Sequence, residues 1–235
     1  MHAMRRDVPY PPQTRQASQA QSRQDHVLPL VQTGHATQGK VLNMKATINH
    51  PLAIKAAGNI ANGGYKTSRF EIRREGENVR VSGTNGYSSI SIIFAGSFSR
   101  WPDGKSITLG PAAVRAMMRG IGASLKKTES VCFEHAAGSG HIRVSCDIDS
   151  AAIETIVELD AVRSCESFNW EGTSKADDGC DCPKVSAYFM DCAARAMKTA
   201  GIAKCDIVWD NGDRALILKS EAEDMKACAL VSLAR

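Results

Sequence analysis

Residues 106–121 read SITLGPAAVRAMMRGI, and this stretch decides the fold. Residues 107–109 alternate like a strand, and Pro111 follows at the place where proline fits best, the first turn of a helix. The apolar residues after it recur at i, i+3, i+4, i+7 and i+11, the spacing of a buried helix face. They are Val114, Met117, Met118, Ile121 and Leu125. The stretch predicts a strand followed by an amphipathic helix.

The same order of elements occurs three times along the chain, and each helix is followed by a hairpin and a further strand. The hairpin turns are Glu75-Gly76-Glu77-Asn78, Gly138-Ser139-Gly140 and Asn211-Gly212-Asp213. A repeated unit governs the whole fold. Because the strands come in runs between the helices, we expect antiparallel pairing rather than parallel crossovers. We therefore predict an α+β fold in which a helix layer packs against antiparallel sheets.

Periodicity and turn residues also predict the element bounds. In the first unit we expect strands over 46–48, 70–74, 79–82 and 89–94 and a helix over 52–62. In the second we expect strands over 131–134, 141–146 and 153–159. In the third we expect a helix over 185–199, ended by Gly201, and strands over 206–209, 215–219 and 226–233.

The composition predicts how the chain is divided. Residues 1–43 are rich in Gln, Ser, Arg, His and Pro, and such a segment buries too little apolar surface to offset its chain entropy. We expect a disordered tail over 1–43, a complete domain of two units over 44–165, a linker over 166–184 and a half-domain over 185–235. With no secretory signal and no run of about 18 apolar residues, we expect a cytoplasmic protein.

The charge is small and uneven. The chain carries a formal net charge of +4. The tail accounts for +3 of it, with five basic and two acidic residues. Contact with nucleic acid would therefore depend on charge arranged on one face. The candidates lie on the three predicted helices, off their apolar stripes: Lys55, Arg115, Arg119, Arg195 and Lys198. The alternative interpretation of these residues is that they form a helix face that contacts only solvent.

No catalytic or cofactor motif is present. The sequence contains no phosphate-binding loop, no G-x-S-x-G and no H-E-x-x-H, and we predict no catalytic residue and no cofactor. Four cysteines are expected as buried thiols within strands: Cys132, Cys146, Cys205 and Cys228. The other four form the single cluster that leaves an enzyme or metal-binding protein as an alternative: Cys165, Cys180, Cys182 and Cys192.

Four stretches resemble the bacterial sliding clamp family, the beta subunit of DNA polymerase III. Residues 81–90, VSGTNGYSSI, resemble the Ala-Thr-Asp-Gly-His-Arg-Leu-Ala segment of its middle domain. Residues 106–111, SITLGP, resemble the start of the second half of that domain, and residues 167–170, SFNW, the Phe-Pro-Asp-Tyr region at its end. Residues 227–235, ACALVSLAR, stand where clamps end in Tyr-Val-Val-Met-Pro-Met-Arg-Leu. The resemblance covers most of residues 44–235.

The resemblance implies a function. Such a protein would be a processivity factor without enzymatic activity, a homo-oligomeric ring around duplex DNA that tethers a polymerase and is opened by a clamp loader. In this family helices line the hole, sheets form the outer surface, and partner peptides enter a pocket between two domains. By position, this pocket would be formed by Thr84, Gly86, Tyr87, Ser88, Ser89, Val231, Ser232 and Leu233.

The chain also departs from the family. It shows about one and a half domains where family members carry three. Tyr87-Ser88-Ser89 replaces His-Arg-Leu, and Val231-Ser232-Leu233 replaces Met-Pro-Met. The sequence therefore leaves two readings of the resemblance: a divergent, shortened clamp of the kind a phage or plasmid encodes, or a clamp-like interaction protein that regulates a clamp or polymerase without encircling DNA.

Overall fold

The elements follow the repeated order that the sequence predicts. The computed structural model describes residues 43–159, 185–210, 215–222 and 224–232, all within one contact unit, Gly39–Arg235. Unit 1 contains β1 Asn43–Ile48, α1 Pro51–Ala61, β2 Arg69–Glu75, β3 Asn78–Thr84, β4 Ser88–Ala95 and β5 Ser97–Ser99. Unit 2 contains β6 Ser106–Leu109, α2 Pro111–Ile121, β7 Val131–Ala136, β8 His141–Ile148 and β9 Ala151–Glu158. Unit 3 contains α3 Ala187–Thr199, β10 Asp206–Asp210, β11 Ala215–Glu221 and β12 Met225–Ser232.

Units 1 and 2 exchange their first strands. β1 leaves its own unit and pairs antiparallel with β7, where Ala46 lies opposite Phe133 and Ile48 opposite Val131. β6 pairs in the same way with β2 of unit 1. The resulting sheets have the orders β5-β1-β7-β8-β9 and β10-β11-β12-β4-β3-β2-β6. With helices packed on antiparallel sheets, the predicted α+β fold is confirmed.

Unit 3 joins the larger sheet through its last strand. β12 pairs antiparallel with β4 over seven residue pairs, from Met225–Phe94 to Val231–Ser88. The helix α3 packs on the same two strands and also contacts α1. Unit 3 is thus connected to unit 1 by a continuous sheet and by helix packing.

Two glycines allow α1 to pack closely, one against the strand β3 and the other against the helix α2. A Cβ atom at Gly83 of β3 would overlap the backbone carbonyl of Ala57 in α1, so α1 lies directly against the strand. A Cβ atom at Gly58 of α1 would overlap the Sδ atom of Met118 in α2. One apolar core runs through these contacts, with Ile54 of α1 and Met117 of α2 fully buried.

The helix α2 ends earlier than the apolar stripe predicts. It stops at Ile121, and Leu125 lies in a separate 3-10 turn, Ser124–Lys126. Gly120 and Gly122 explain the ending, since glycine is the weakest helix former after proline. Leu125 is nevertheless fully buried, and the 3-10 turn that carries it packs against α1.

Two further expectations differ from the structure. Cys205 is exposed and precedes β10, so the prediction of a buried strand thiol is wrong there, whereas Cys146 is buried. The helix α3 begins at Ala187 rather than at residue 185. The short strand β5 was not predicted. The predicted tail over 1–43 is one residue too long, because Asn43 begins β1. Residues 1–42, the segment 160–184 and the turn 211–213 lie outside the described residues.

Substituting Gly83 with alanine should destabilise the protein. The added methyl group has no room beside the Ala57 backbone, and such overpacking costs about 1–3 kcal/mol, occasionally more. Equilibrium unfolding in urea measures the change. Gly140→Ala is the matched control, because its Cβ would meet no atom within 4 Å and its φ is not positive. Equal stability of the two variants would show that α1 does not approach β3 as described.

Candidate nucleic-acid interface and partner-binding junction

Two predicted DNA-contacting residues are exposed and unpaired on α2. Arg115 and Arg119 both lie on its solvent side, one helical turn apart on the same face. Neither guanidinium forms an ion pair with any described residue. No carboxylate in the described part of the chain neutralises these two charges.

Lys126 and Lys127 extend this cationic surface beyond the end of α2. Both are exposed, and Lys126 lies close enough to Lys55 that its charge lowers the pKa of Lys55. The sequence reasoning missed them because it considered only charges on helices. The sequence does contain a signal for this part of the surface, because two adjacent lysines follow the apolar stripe of α2. We call Arg115, Arg119, Lys126 and Lys127 the basic surface.

Lys55 has a structural contact. Its Nζ atom donates a hydrogen bond to the carbonyl of Gly122, at 2.8 Å, just beyond the end of α2. Burial is the main reason that its pKa is lowered, and repulsion from Lys126 is the second. A cation at this position compensates the partial negative charge at a helix C-terminus. Lys55 therefore ties α1 to α2, with part of its hydrogen-bonding capacity already used.

The two predicted residues on α3 differ from each other. Arg195 and Asp191 form an exposed ion pair at i, i+4 with a distance of 2.8 Å, and this hydrogen bond together with the negative charge raises the pKa of Arg195. Lys198 is exposed and forms no ion pair with a described residue. Only Lys198 therefore presents an uncompensated charge on α3.

The turn at residues 84–88 is fixed by its own polar groups. The Asn85 Oδ1 atom accepts hydrogen bonds from the amides of Tyr87 and Ser88, at 2.9 and 2.7 Å. The Asn85 side chain is buried. Gly86 has a φ of +90°, a conformation that favours glycine, and the turn presents the ring of Tyr87 to the surface.

The two walls of the predicted peptide pocket are neighbours in the structure. The amide of Ser232 donates to the carbonyl of Tyr87 at 2.8 Å. The hydroxyl of Ser88 donates to the carbonyl of Phe189 in α3 at 3.1 Å. These contacts, with the pairing of β4 and β12, form what we call the unit 1–unit 3 junction. Leu233, the remaining predicted wall residue, lies outside the described residues.

Much of this junction is closed to a ligand. The side chains of Ser88, Ser89 and Val231 are buried, and the hydroxyl of Ser88 is already used in its hydrogen bond to α3. Thr84 is half-buried, and its hydroxyl accepts a hydrogen bond from the amide of Gly86.

An aromatic surface borders the junction. The rings of Tyr87 and Phe189 stack with their centroids 4.7 Å apart and an interplanar angle of 11°. Tyr65 meets Tyr87 edge-on, and Tyr188 meets Phe189 edge-on. Tyr65, Tyr87 and Tyr188 are exposed by 37%, 46% and 61%. We call these four residues the aromatic surface, which offers flat apolar area and phenolic hydroxyl groups to a partner.

A cavity of about 320 Å³ lies near the opposite end of the paired strands. Its lining includes Arg80, Ser91, Lys226 and Cys228. Ser91 and Cys228 are paired across β4 and β12 and alternate with core residues, so the cavity lies on the sheet face away from the helices. Burial raises the pKa of Cys228 to about 11, so its thiol is protonated at neutral pH and a poor nucleophile.

The described residues contain no group of three or more His, Cys, Asp or Glu side chains arranged to hold a metal ion. Of the predicted cysteine cluster, only Cys192 is described, and it is half-buried on α3. No helix among the described residues is long and apolar enough to cross a membrane.

Comparisons with known proteins found similarity in structure alone. The chain is similar to a solved structure of Proliferating Cellular Nuclear Antigen from Entamoeba histolytica, with 12% sequence identity and a TM-score of 0.49. The match covers 82% of this chain and 99% of that one. No protein-family model matches the sequence, and no curated protein does.

Replacing Tyr87 with leucine should destabilise the unit 1–unit 3 junction. Leucine keeps apolar bulk but loses the stacking on Phe189, and aromatic pairs contribute about 0.5–1.5 kcal/mol beyond their buried area. The free energy of unfolding in urea should fall by about that amount. Tyr87→Phe, which keeps the ring, should leave it nearly unchanged. A loss in the phenylalanine variant as large as in the leucine variant would assign the effect to the hydroxyl group instead.

Proposed function

We propose that this protein is a divergent, shortened sliding clamp that assembles into a homo-oligomeric ring around duplex DNA and tethers a polymerase, without catalysing a reaction. The observation that carries the proposal is the basic surface. Arg115 and Arg119 are exposed on α2 and form no ion pair with a described residue. The helix α1 contacts both α2 and α3, so the three described helices form one layer. A layer of this kind is a surface that can face a DNA duplex.

The chemistry of this layer suits DNA contact without sequence recognition. Arginine and lysine neutralise phosphates and release counterions, and such contacts carry no base information. The four residues of the basic surface, with Lys198, offer dispersed charge. Because such contacts do not depend on the base sequence, they would allow the protein to slide along DNA.

Self-assembly is supported by the edges of the sheets. Within the chain, the strands that follow the hairpins of units 1 and 3, β4 and β12, pair antiparallel. The last strand of unit 2, β9, is at the end of its sheet among the described strands. It exposes Ile156 by 62%, and an unpaired edge strand is a template for pairing with another chain. We propose that β9 forms one of the contacts that close the ring.

The partners of such a ring would bind at the aromatic surface. Aromatic residues are enriched where proteins bind one another, and this surface adjoins the place where the resemblance expects peptides of a polymerase or clamp loader. The buried pocket walls and the exposed rings indicate that a partner peptide would bind over the rings rather than between the strands.

The aromatic surface also supports a second candidate function. A clamp-like interaction protein would use the same four rings to dock on a clamp or polymerase and would not encircle DNA. Retention on nicked circular DNA, compared with the same DNA after linearisation, separates the two. A ring stays on the circle and slides off the linear ends, whereas an interaction protein shows no difference.

Reversing the charge at Arg115 and Arg119 together should weaken DNA binding. Losing two phosphate contacts should reduce the magnitude of the slope of log binding constant against log salt concentration by about 2. The affinity for DNA should fall by about tenfold or more. Fluorescence anisotropy with duplexes of unrelated sequence, repeated over a salt series, measures both.

The control is the double variant Arg143→Glu and Lys226→Glu, which makes the same change in net charge. Both control residues lie on sheet faces turned away from the core, and both are largely exposed. Equal weakening by the two double variants would show that overall charge, and not the basic surface, governs binding.

Placing lysine at Ile156 should lower the oligomeric mass. A charge on an edge strand opposes pairing with another strand, and the exposed position should tolerate the substitution without unfolding. Light scattering after size-exclusion chromatography gives the mass, with Ile156→Val as the conservative control. An unchanged mass for the lysine variant would remove β9 from the assembly.

A further inference from the structure

The cavity on the outer face of the larger sheet, the face turned away from the helices, is lined mainly by charged and hydroxyl-bearing side chains. Its charged lining residues are Arg80, Lys219, Lys226 and Glu221, so that three cations stand against one carboxylate. Its volume of about 320 Å³ is at the small end of the range for small-molecule sites. The size and the charge of this cavity suit a small anion.

Strand pairing places two of these cations on opposite sides of the cavity. Ile93 of β4 lies directly opposite Lys226 of β12 on one side and directly opposite Arg80 of β3 on the other. Because neighbouring strands are about 4.8 Å apart, the backbones that carry Lys226 and Arg80 are roughly 10 Å apart. Both side chains are long enough to reach one anion that lies over Ile93.

The next row of side chains supplies a hydroxyl group. Ser91 of β4 lies directly opposite Cys228 of β12, and Ser91 is buried. The Ser91 Oγ atom accepts a hydrogen bond from the Ser82 hydroxyl at 3.1 Å, which leaves the Ser91 hydroxyl hydrogen to donate to another acceptor. Burial raises the pKa of Cys228 to about 11, so its thiol adds no negative charge to the cavity at neutral pH.

Arg80 lies in an excess of positive charge. It stands directly opposite Arg73 of β2, and like charges at opposite positions destabilise a sheet. The Nε atoms of Arg80 and Arg73 lie 2.9 and 3.8 Å from the same Oε1 atom of Glu75. Both Nε atoms are buried, and neither makes a hydrogen bond within the described part of the chain. Two guanidinium groups share this carboxylate, and an anion on the cavity side of Arg80 would offset the excess.

We propose that this cavity binds a small phosphate, either as the free ion or as the end group of a small ester. Arg80 and Lys226 contact the phosphate oxygens from opposite sides, and the hydroxyl of Ser91 donates to the phosphate from the sheet. Arginine forms charge-assisted hydrogen bonds that match the geometry of phosphate. The contact of Lys226 with Glu221 is long, at 3.9 Å, and exposed, so Lys226 loses little by exchanging it for phosphate.

This site is separate from the proposed contact with DNA. It lies on the sheet face away from the helices, and a duplex does not enter a cavity of about 320 Å³. Phosphate can therefore bind here whether or not the protein is a sliding clamp. The test of the site contains no DNA, so its outcome is independent of the outcome for the proposed function.

Isothermal titration calorimetry of the full chain with inorganic phosphate, at neutral pH and constant ionic strength, tests the site. We expect saturable binding of a single phosphate per chain. Arg80→Gln should weaken this binding by about tenfold or more, because it removes charge-assisted hydrogen bonds. Arg143→Gln is the matched control and should bind phosphate as the unchanged chain does, because Arg143 also pairs with a glutamate but belongs to the other sheet.

A second substitution, Lys226→Gln, tests the opposite side of the cavity. The Lys226 side chain is 65% exposed, so this variant should fold, and it should bind phosphate more weakly than the unchanged chain. Circular dichroism verifies that each variant is folded. Absence of saturable phosphate binding to the unchanged chain, or unchanged binding in Lys226→Gln and in folded Arg80→Gln, would overturn the proposal.

Titration with glycerol 3-phosphate distinguishes the two sources of the phosphate group. Tighter binding of this ester than of inorganic phosphate would assign the cavity to a small phosphate ester. Equal or weaker binding of the ester would assign the cavity to the free ion.

Discussion

The exchange of first strands between units 1 and 2 is the interaction on which the rest of the structure depends. β1 completes the sheet of unit 2, and β6 completes the sheet of unit 1. Without this exchange the inward faces of β2 and β7 would expose phenylalanine side chains to water, at a cost of roughly 1.5–3 kcal/mol for each large apolar residue. Neither unit has a closed core alone, so the two form one cooperative body that holds α1 against α2.

This arrangement separates surfaces of different character. The helix side carries exposed cations that form no ion pair within the part of the chain that the structure describes, and the unit 1–unit 3 junction carries exposed rings. The strands β9 and β10, which end their sheets among the described strands, carry exposed isoleucines. The cations suit phosphates, the aromatic rings suit a peptide, and the sheet edges suit another copy of the chain. The proposed clamp would need all three kinds of contact at once, and the fold carries the three surfaces at separate places.

Local signals in the sequence predicted local structure well. Pro51 and Pro111 mark the starts of two helices, and the hairpins follow the alternation of apolar residues. The sequence did not show that β1 pairs with a strand more than eighty residues away, because periodicity carries no information about partners. For the same reason it could not distinguish Arg115, which has no ion-pair partner in the described ranges, from Arg195, which pairs with Asp191. The burial of Ser88 likewise depends on a strand at the other end of the chain.

The pairing of β4 with β12 also constrains how the chain folds. The two strands lie more than 130 residues apart, and contacts of such long sequence separation slow folding. Units 1 and 2 are synthesised before unit 3. One edge of β4, whose sequence is SSISIIFA, therefore remains unpaired until β12 has been synthesised. An apolar strand edge of this kind is prone to aggregate. Production of the protein therefore depends on how quickly unit 3 docks, and truncation before β12 would leave that edge permanently open.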